Sequence, residues 1–227
     1  MDLPLIRLAA VDSTQAFLRR NPQLGFCTVL ADGQTEGRGR QGNAWVSPLG
    51  AGLWMSAALP PHLGQAPGLV LQRAMGAVAR VLDPLGQMLG LKWPNDLVAW
   101  KDGQLVKVGG ILGEQVGSRL ILGLGVNLTS APDLPERPIA PACLQELGLP
   151  LPPTVELALA ISKSWKNLDE DLQPLFRWPE AGTPLCWEEG QGTCLGWEPD
   201  GRLKVAWAEG IRRLSAGDVH GLSSIRK

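Results

Sequence analysis

The segment Gly37–Trp45, GRGRQGNAW, alternates glycine with Arg38 and Arg40 and ends on an aromatic ring. Glycine allows a backbone to close tightly, and guanidinium groups grip phosphate or carboxylate oxygens in pairs. Two more segments carry cations beside unusual backbone: Lys92-Trp93-Pro94-Asn95-Asp96, and Lys107 two residues ahead of Gly109-Gly110. Converging on one ligand, these groups would stabilise negative charge developing on phosphoryl or acyl oxygens.

Each segment also has a plainer reading. GRGRQG satisfies the dinucleotide pattern G-x-G-x-x-G, but that pattern works by opening a helix onto the pyrophosphate. Asn43 to Pro48 supplies β-favouring residues and a proline instead, which argues against a Rossmann site. What remains is a mobile lid over an anion, excluding water from a labile intermediate, or a solvated basic hairpin tip. Lys107 is either an exposed strand lysine or an ammonium reaching over a ligand that lies against the glycine backbone. Lys92 to Asp96 is first a proline-initiated turn. Ser13, Thr14 and Gln15 serve a helix entry, Trp45 stacks on a base or fills the core, and Asn127 receives a ligand or closes a turn.

The elements that must position these residues follow from patterning. Asp12 reads as a helix cap, with Gln15 completing a capping box, and the helix runs to about Arg20. Phe26–Leu30 and Gly52–Leu59 are apolar strand-like runs flanking the glycine loop. Leu71, Met75, Val78 and Leu82 recur at helical spacing over Pro67–Leu82. Leu97–Trp100, Leu105–Gln115 and the run from Arg119 through Asn127 are strands joined by tight reversals, hence antiparallel neighbours. A proline-rich connection from Ala131 to Pro153 holds one short helix near Ala142–Leu147, and Thr154 caps a long helix to about Asp171. Beyond Pro179, short strands at Leu185–Trp187, Thr193–Trp197, Leu203–Trp207 and Ile211–Leu214 predict a small antiparallel barrel. The expected boundary lies between residues 178 and 179.

Composition narrows the function class. The chain has 227 residues, 21 Lys and Arg against 22 Asp and Glu, and a net charge of -1, so no broad basic field exists to wrap nucleic acid. Cys27, Cys143, Cys186 and Cys194 form no C-x-x-C pair, and with only His62 and His220 available they predict buried free thiols rather than a metal site. No Ser/His/Asp or Cys/His arrangement is evident. With no secretory leader and no apolar run long enough to span a membrane, the sequence points to a soluble protein of the reducing cytoplasm.

Taken in order, Asp12-Ser13-Thr14, Gln34 ahead of GRGRQG, Trp45 with SPLG, KWPND, K-x-G-G-I-L at Lys107 and GLGVN at Gly123–Asn127 resemble the biotin protein ligases, which join biotin to a lysine of a carboxylase carrier domain. The likeness covers most of residues 8–128. It implies an α+β fold: a mixed, largely antiparallel sheet packed with helices, like a class II synthetase catalytic domain (residues 1–178), plus a small C-terminal SH3-like barrel (residues 179–227). It implies an enzyme that activates biotin with ATP and Mg²⁺ as biotinyl-5′-AMP and acylates the biotin carboxyl carrier protein of acetyl-CoA carboxylase. Family members dimerise through sheet edges in some cases.

Carried over residue by residue, Ser13, Thr14, Gln15 and Gln34 face biotin's polar ring, with Arg38, Gly39, Arg40, Lys107, Gly109 and Gly110 completing the biotin site. Arg38, Arg40, Trp45, Lys92, Asn95, Lys107 and Asn127 lie on the ATP side. Arg40 and Lys107 act on the reacting oxygens, and Asp96 orients the incoming amine. Two departures stand out: the family usually has Asn where this chain has Gln15, and a basic residue where it has Asn43. The likeness begins within the first dozen residues, which predicts a ligase without the regulatory DNA-binding domain of larger members. The rival is a lipoate or octanoyl transferase acting on a carrier lysine, whose relatives lack the GRGRQG loop.

Overall fold

Apolar runs of period two and one amphipathic helix face account for most of the architecture. The computed structural model describes residues 3–61, 65–166, 168 and 176–222. In chain order the elements are β1 (Leu5–Leu8), α1 (Thr14–Arg20), β2 (Thr28–Ala31), β3 (Gly52–Leu59), α2 (Pro67–Leu82), β4 (Leu89–Lys92), β5 (Asp96–Lys101), β6 (Gln104–Val116), β7 (Arg119–Asn127), α3 (Thr154–Trp165), β8 (Arg177–Trp178), β9 (Pro184–Trp187), β10 (Gly190–Trp197), β11 (Leu203–Trp207), β12 (Gly210–Leu214) and β13 (His220–Gly221). The first sheet runs β1-β2-β3-β7-β6-β5-β4-β8 and the second β12-β11-β10-β9-β13. Pairing is antiparallel except at the two edges of the large sheet, where β1 joins β2 and β8 joins β4 in parallel.

Side chains alternate across the large sheet, and the two faces do different work. Leu53, Met55, Leu122, Leu124 and Val126 join the main core with Met75 and Val78 of α2 and Ile161 and Trp165 of α3. Trp165 Nε1 donates to Ala74 O at 2.9 Å, tying the two helices together. Truncating Met75 to Ala there would cost about 2–5 kcal/mol in lost transfer and cavity terms. On the opposite face, Ala58 and Ile121 pack under Leu18 of α1. Further along this face stand Ser56, Gly123 and Gly125, small residues that leave the sheet surface open.

β6 would place Lys107 and Gly110 on opposite faces if its period were unbroken. The register, however, pairs Val98 with Lys107 and Leu97 with Gly109, leaving Val108 as an extra residue. Such a bulge re-aims the strand. Val108 is fully buried in the main core, so Lys107 and Gly110 both turn to the open face.

Several sequence expectations need correction. Ser13, not Asp12, caps α1, its hydroxyl accepting from Ala16 N at 3.3 Å; Asp12 instead pairs with Arg20 at 2.5 Å. Gln15 does not return to the cap but reaches sideways to Glu114. The short helix near Ala142–Leu147 is a 3-10 turn at Gln145–Leu147, and α3 ends at Trp165, its expected continuation to Asp171 lying mostly outside the described residues. The C-terminal strands form one antiparallel sheet with β12 and β13 at its edges, so strand pairing does not close a barrel among the described residues. All four cysteines are free, and burial pushes the Cys27, Cys143 and Cys194 thiols up. No helix among the described residues is long and apolar enough to cross a membrane.

Candidate active site

The open face of the large sheet is the floor of a cavity. Ser13, Thr14, Gln15, Gln34, Arg38, Gly39, Arg40, Trp45, Lys92, Asn95, Asp96, Lys107, Gly110 and Asn127 all line it. Segments separated by up to about half the chain therefore meet in one space.

Gly109 does not line it. A Cβ there would meet Gly125 O at 2.8 Å and side-chain carbons of Val126 and Leu97, so this glycine serves sheet packing on the core side. The Val108 bulge is the reason, because it puts Gly109 out of phase with Lys107.

The glycine segment is a tight hairpin. Gly39 N donates to Asn43 O and Trp45 N to Gly37 O, both at 2.8 Å, around a short 3-10 turn at Arg40–Gly42 in which Gln41 takes φ 54°. Its anchor is Trp45, whose ring packs against β7: a Cβ on Gly125 would come within 2.3 Å of the indole nitrogen. Only glycine permits that approach. The indole Nε1 is buried with no hydrogen-bond partner among the described residues.

The cations sit in contrasting surroundings. Lys107 Nζ pairs with Asp96 Oδ1 at 2.6 Å and lies 5.4 Å from the Trp45 ring centroid. Lys92, 3% exposed, approaches the other Asp96 oxygen at 3.8 Å. Burial is the main cause of its lowered pKa, only partly opposed by Asp96. Arg40 Nη1 donates to Asn95 Oδ1 at 3.3 Å and to Gly217 O and Asp218 Oδ1 at 3.2 Å, a contact between the glycine loop and the second sheet's last turn. Arg38 is exposed and has no ion-pair partner among the described residues.

At the polar end, Gln34 Oε1 accepts from Thr14 N at 2.8 Å and Thr14 Oγ1 at 3.1 Å, and Gln34 Nε2 donates to Ser47 Oγ at 2.9 Å. Thr14 and Ser56 hydroxyls meet at 2.8 Å. Asn95 Nδ2 holds Ile111 O at 2.8 Å, and Asn127 Nδ2 holds Ala142 O at 3.1 Å, so Asn127 does close a turn while lining the cavity.

A sequence profile of the Biotin/lipoate A/B protein ligase family matches residues 9–129, more than half of the chain. The chain belongs to this family.

Similar members include the bifunctional ligase/repressor BirA of Bacillus subtilis, 28% identical over 93% of this chain and 71% of its own length. The biotin–[acetyl-CoA-carboxylase] ligase of Paracoccus denitrificans is 40% identical over 56% of this chain and 55% of its own. The BirA of Escherichia coli is matched over only 39% of its length. Among solved structures, the biotin protein ligase from Aquifex aeolicus in complex with biotin and ATP superposes with TM-score 0.76 at 27% identity, covering 96% of this chain and 99% of that one. The relatives and structural neighbours named here are biotin protein ligases or ligase/repressors.

Within this family member, sequence reasoning overlooked three sets of contributors to the site. Ser56, Gly123 and Gly125 form the floor, and their signal was present: small residues at alternate positions of otherwise apolar strands. Arg137, Leu134 and Pro138 of the proline-rich connection form a wall, Arg137 Nη2 reaching Asn43 Oδ1 at 3.4 Å. A guanidinium thus stands beside the position whose expected cation is missing. Asp218 and His220 come from the second sheet, and no local pattern announced them. The His220 pKa is lowered, first by burial and next by Lys92. His62 lies outside the described residues.

Proposed function

We propose that the chain is a biotin protein ligase that makes biotinyl-5′-AMP from biotin and ATP and transfers the biotinyl group to a lysine of a biotin carboxyl carrier domain. One observation carries this reading: Arg38, Arg40, Lys92 and Lys107 line the same cavity as the amide and hydroxyl cluster of Thr14, Gln34 and Ser56. A polar cluster suits a ureido ring, and the cations suit a carboxylate joining a phosphate.

In the first step a biotin carboxylate oxygen attacks the α-phosphorus, a new P–O bond forms, and the bond to the β-phosphate oxygen breaks to release pyrophosphate. Lys107 and the two arginines offset the charge gathering on the phosphoryl oxygens. In the second step the carrier amine attacks the acyl carbon, AMP departs, and the amine proton is lost. Asp96 orients the amine only in exchange for part of its hold on Lys107 and Lys92. Trp45, Lys92, Asn95 and Asn127 form the nucleotide side, and Ser13, Thr14, Gln15, Gln34, Gly39 and Gly110 the biotin side.

Mg²⁺ enters with the nucleotide substrate. No group of three or more metal-binding side chains occurs among the described residues, and Asp96 and Asp218 each already face a cation. The triphosphate and water would supply most of its ligands. The catalytic domain spans residues 1–178 and a small C-terminal domain residues 179–227, a division supported by the partition of the described strands between the two sheets.

The test is biotin-dependent exchange of labelled pyrophosphate into ATP, with lipoate and octanoate as controls. Exchange driven by biotin alone supports the reading. Exchange driven by lipoate and not biotin moves the assignment to the lipoate branch of the family.

A further inference from the structure

The amide of Gln15 has a partner that no motif includes. Its Nε2 lies 3.4 Å from Glu114 Oε2, and the other oxygen of Glu114 lies 3.5 Å from Arg19 Nε. An ionised carboxylate can only accept hydrogen bonds, so the amide end that faces it must be the NH₂ end. The orientation is therefore fixed by chemistry: Gln15 Oε1 points away from Glu114, over Gly123, where a Cβ would lie 2.6 Å from it. Gly123 lines the cavity, as does Gln15. The bare backbone of β7 is what accommodates an amide one methylene longer than Asn.

Counting donors shows why this oxygen matters. Gln34 Oε1 is occupied by two donors from Thr14. The Thr14 hydroxyl proton goes to Gln34, so Ser56 must donate in the contact between the two hydroxyls. Ser13 Oγ already accepts from Ala16 N. Among the described residues at this end, Gln15 Oε1 is the amide oxygen that no protein donor takes.

We infer that Glu114 is a positioning residue for ligand selection: by holding the NH₂ of Gln15 it presents Gln15 Oε1 as a fixed acceptor for a ligand N–H. A ureido ring supplies such a donor, and a dithiolane or alkyl chain does not. The inference rests on the biotin reading and adds to it a device for refusing acyl chains without N–H groups. Glu114 and Arg19 are each partly exposed, so their own pairing adds little stability and either can be changed without opening the core.

The test is a double-variant cycle on biotin binding, measured by calorimetry with the intact chain, using Glu114→Met, Gln15→Met and both together. Glu114→Met should weaken biotin about five- to tenfold, the scale of one ligand hydrogen bond, while ATP affinity changes less than about twofold. Because Glu114 acts through Gln15, the double variant should bind no more weakly than Gln15→Met alone. A merely structural role would give additive losses and a shared fall in ATP affinity, and would overturn the inference. Unchanged biotin affinity in Glu114→Met, with tight binding by the unaltered chain, would overturn it as well. An unaltered chain with no affinity for biotin would remove the ligase reading and this inference together.

Discussion

The two cationic walls of the cavity are built by opposite means. Lys92 and Lys107 stand at the end of one strand and within another, where ladder pairing and the Val108 bulge set their direction before any ligand arrives. Arg38 and Arg40 ride on a glycine hairpin whose hold on the rest of the molecule is the Trp45 ring, a few side-chain contacts and the turn at Gly217-Asp218. The strand wall supplies a preorganised field, while the hairpin wall owes its direction to a handful of side-chain contacts. The proposed activation and transfer steps, which share one acyl phosphate, would draw on both.

Breaking the strand wall should have the largest effect. Lys107→Ala is expected to lower turnover about a hundredfold or more with little change in ATP binding, read by pyrophosphate exchange on a variant of unchanged circular dichroism. A near-normal rate would remove Lys107 from the mechanism. Arg40→Ala should also cost about a hundredfold in turnover over KM for ATP, but with a raised KM, since a guanidinium facing the phosphates would add binding as well as rate. Equal kinetic signatures for the two variants would erase the contrast between the walls.

Lys92 offers a pH test. Burial lowers its pKa, so it loses its proton at a lower pH than an ordinary lysine. KM for ATP should therefore climb on the alkaline side before exposed lysines titrate, and Lys92→Arg should move that limb to higher pH. The linked stability has the matching sign: between the lowered pKa and the ordinary one the unfolded chain binds more protons, so stability rises with pH there. An alkaline limb that Lys92→Arg does not move would assign it to another group.

Asp218→Asn should raise KM for ATP about five- to tenfold by loosening Arg40, with Asp218→Glu recovering part of the loss, because the pair is partly exposed. The smallest effect belongs to Asp12→Asn. Arg20 holds the Asp12 carboxyl down to about 2, so the pair contributes above the usual carboxylate range and fades as pH falls toward that value. At neutral pH solvent screens a surface pair of this kind, so thermal melting should show only a slight loss of stability.

Much of the large sheet and α2 was legible because period-two and helical spacing report burial directly. Gly52–Leu59, Pro67–Leu82 and Leu203–Trp207 were foreseen to the residue. The edge strands β1 and β8 were not, since Leu5–Leu8 and Arg177–Trp178 are too short to display a period. The site was legible as a set of segments, but not its phase. A reader assuming unbroken alternation places Lys107 and Gly109 on one face, and the bulge that separates them leaves no mark in the residue types. Asp218 and His220 were illegible for another reason: they are brought in by docking of the second sheet, which no local pattern encodes.

One carbonyl shows how that docking is secured. Gly201 O, in the turn between β10 and β11, accepts from Gln72 Nε2 at 2.6 Å and from Trp93 Nε1 at 3.0 Å. A single acceptor thereby joins helix α2, the KWPND turn and the C-terminal sheet. Shifting that sheet by one bond length would strand two buried donors at once and withdraw Asp218 from Arg40. The smaller sheet thus cannot drift as a tethered appendage without disarming the hairpin, and damage far from the cavity would register first as failure to retain the nucleotide.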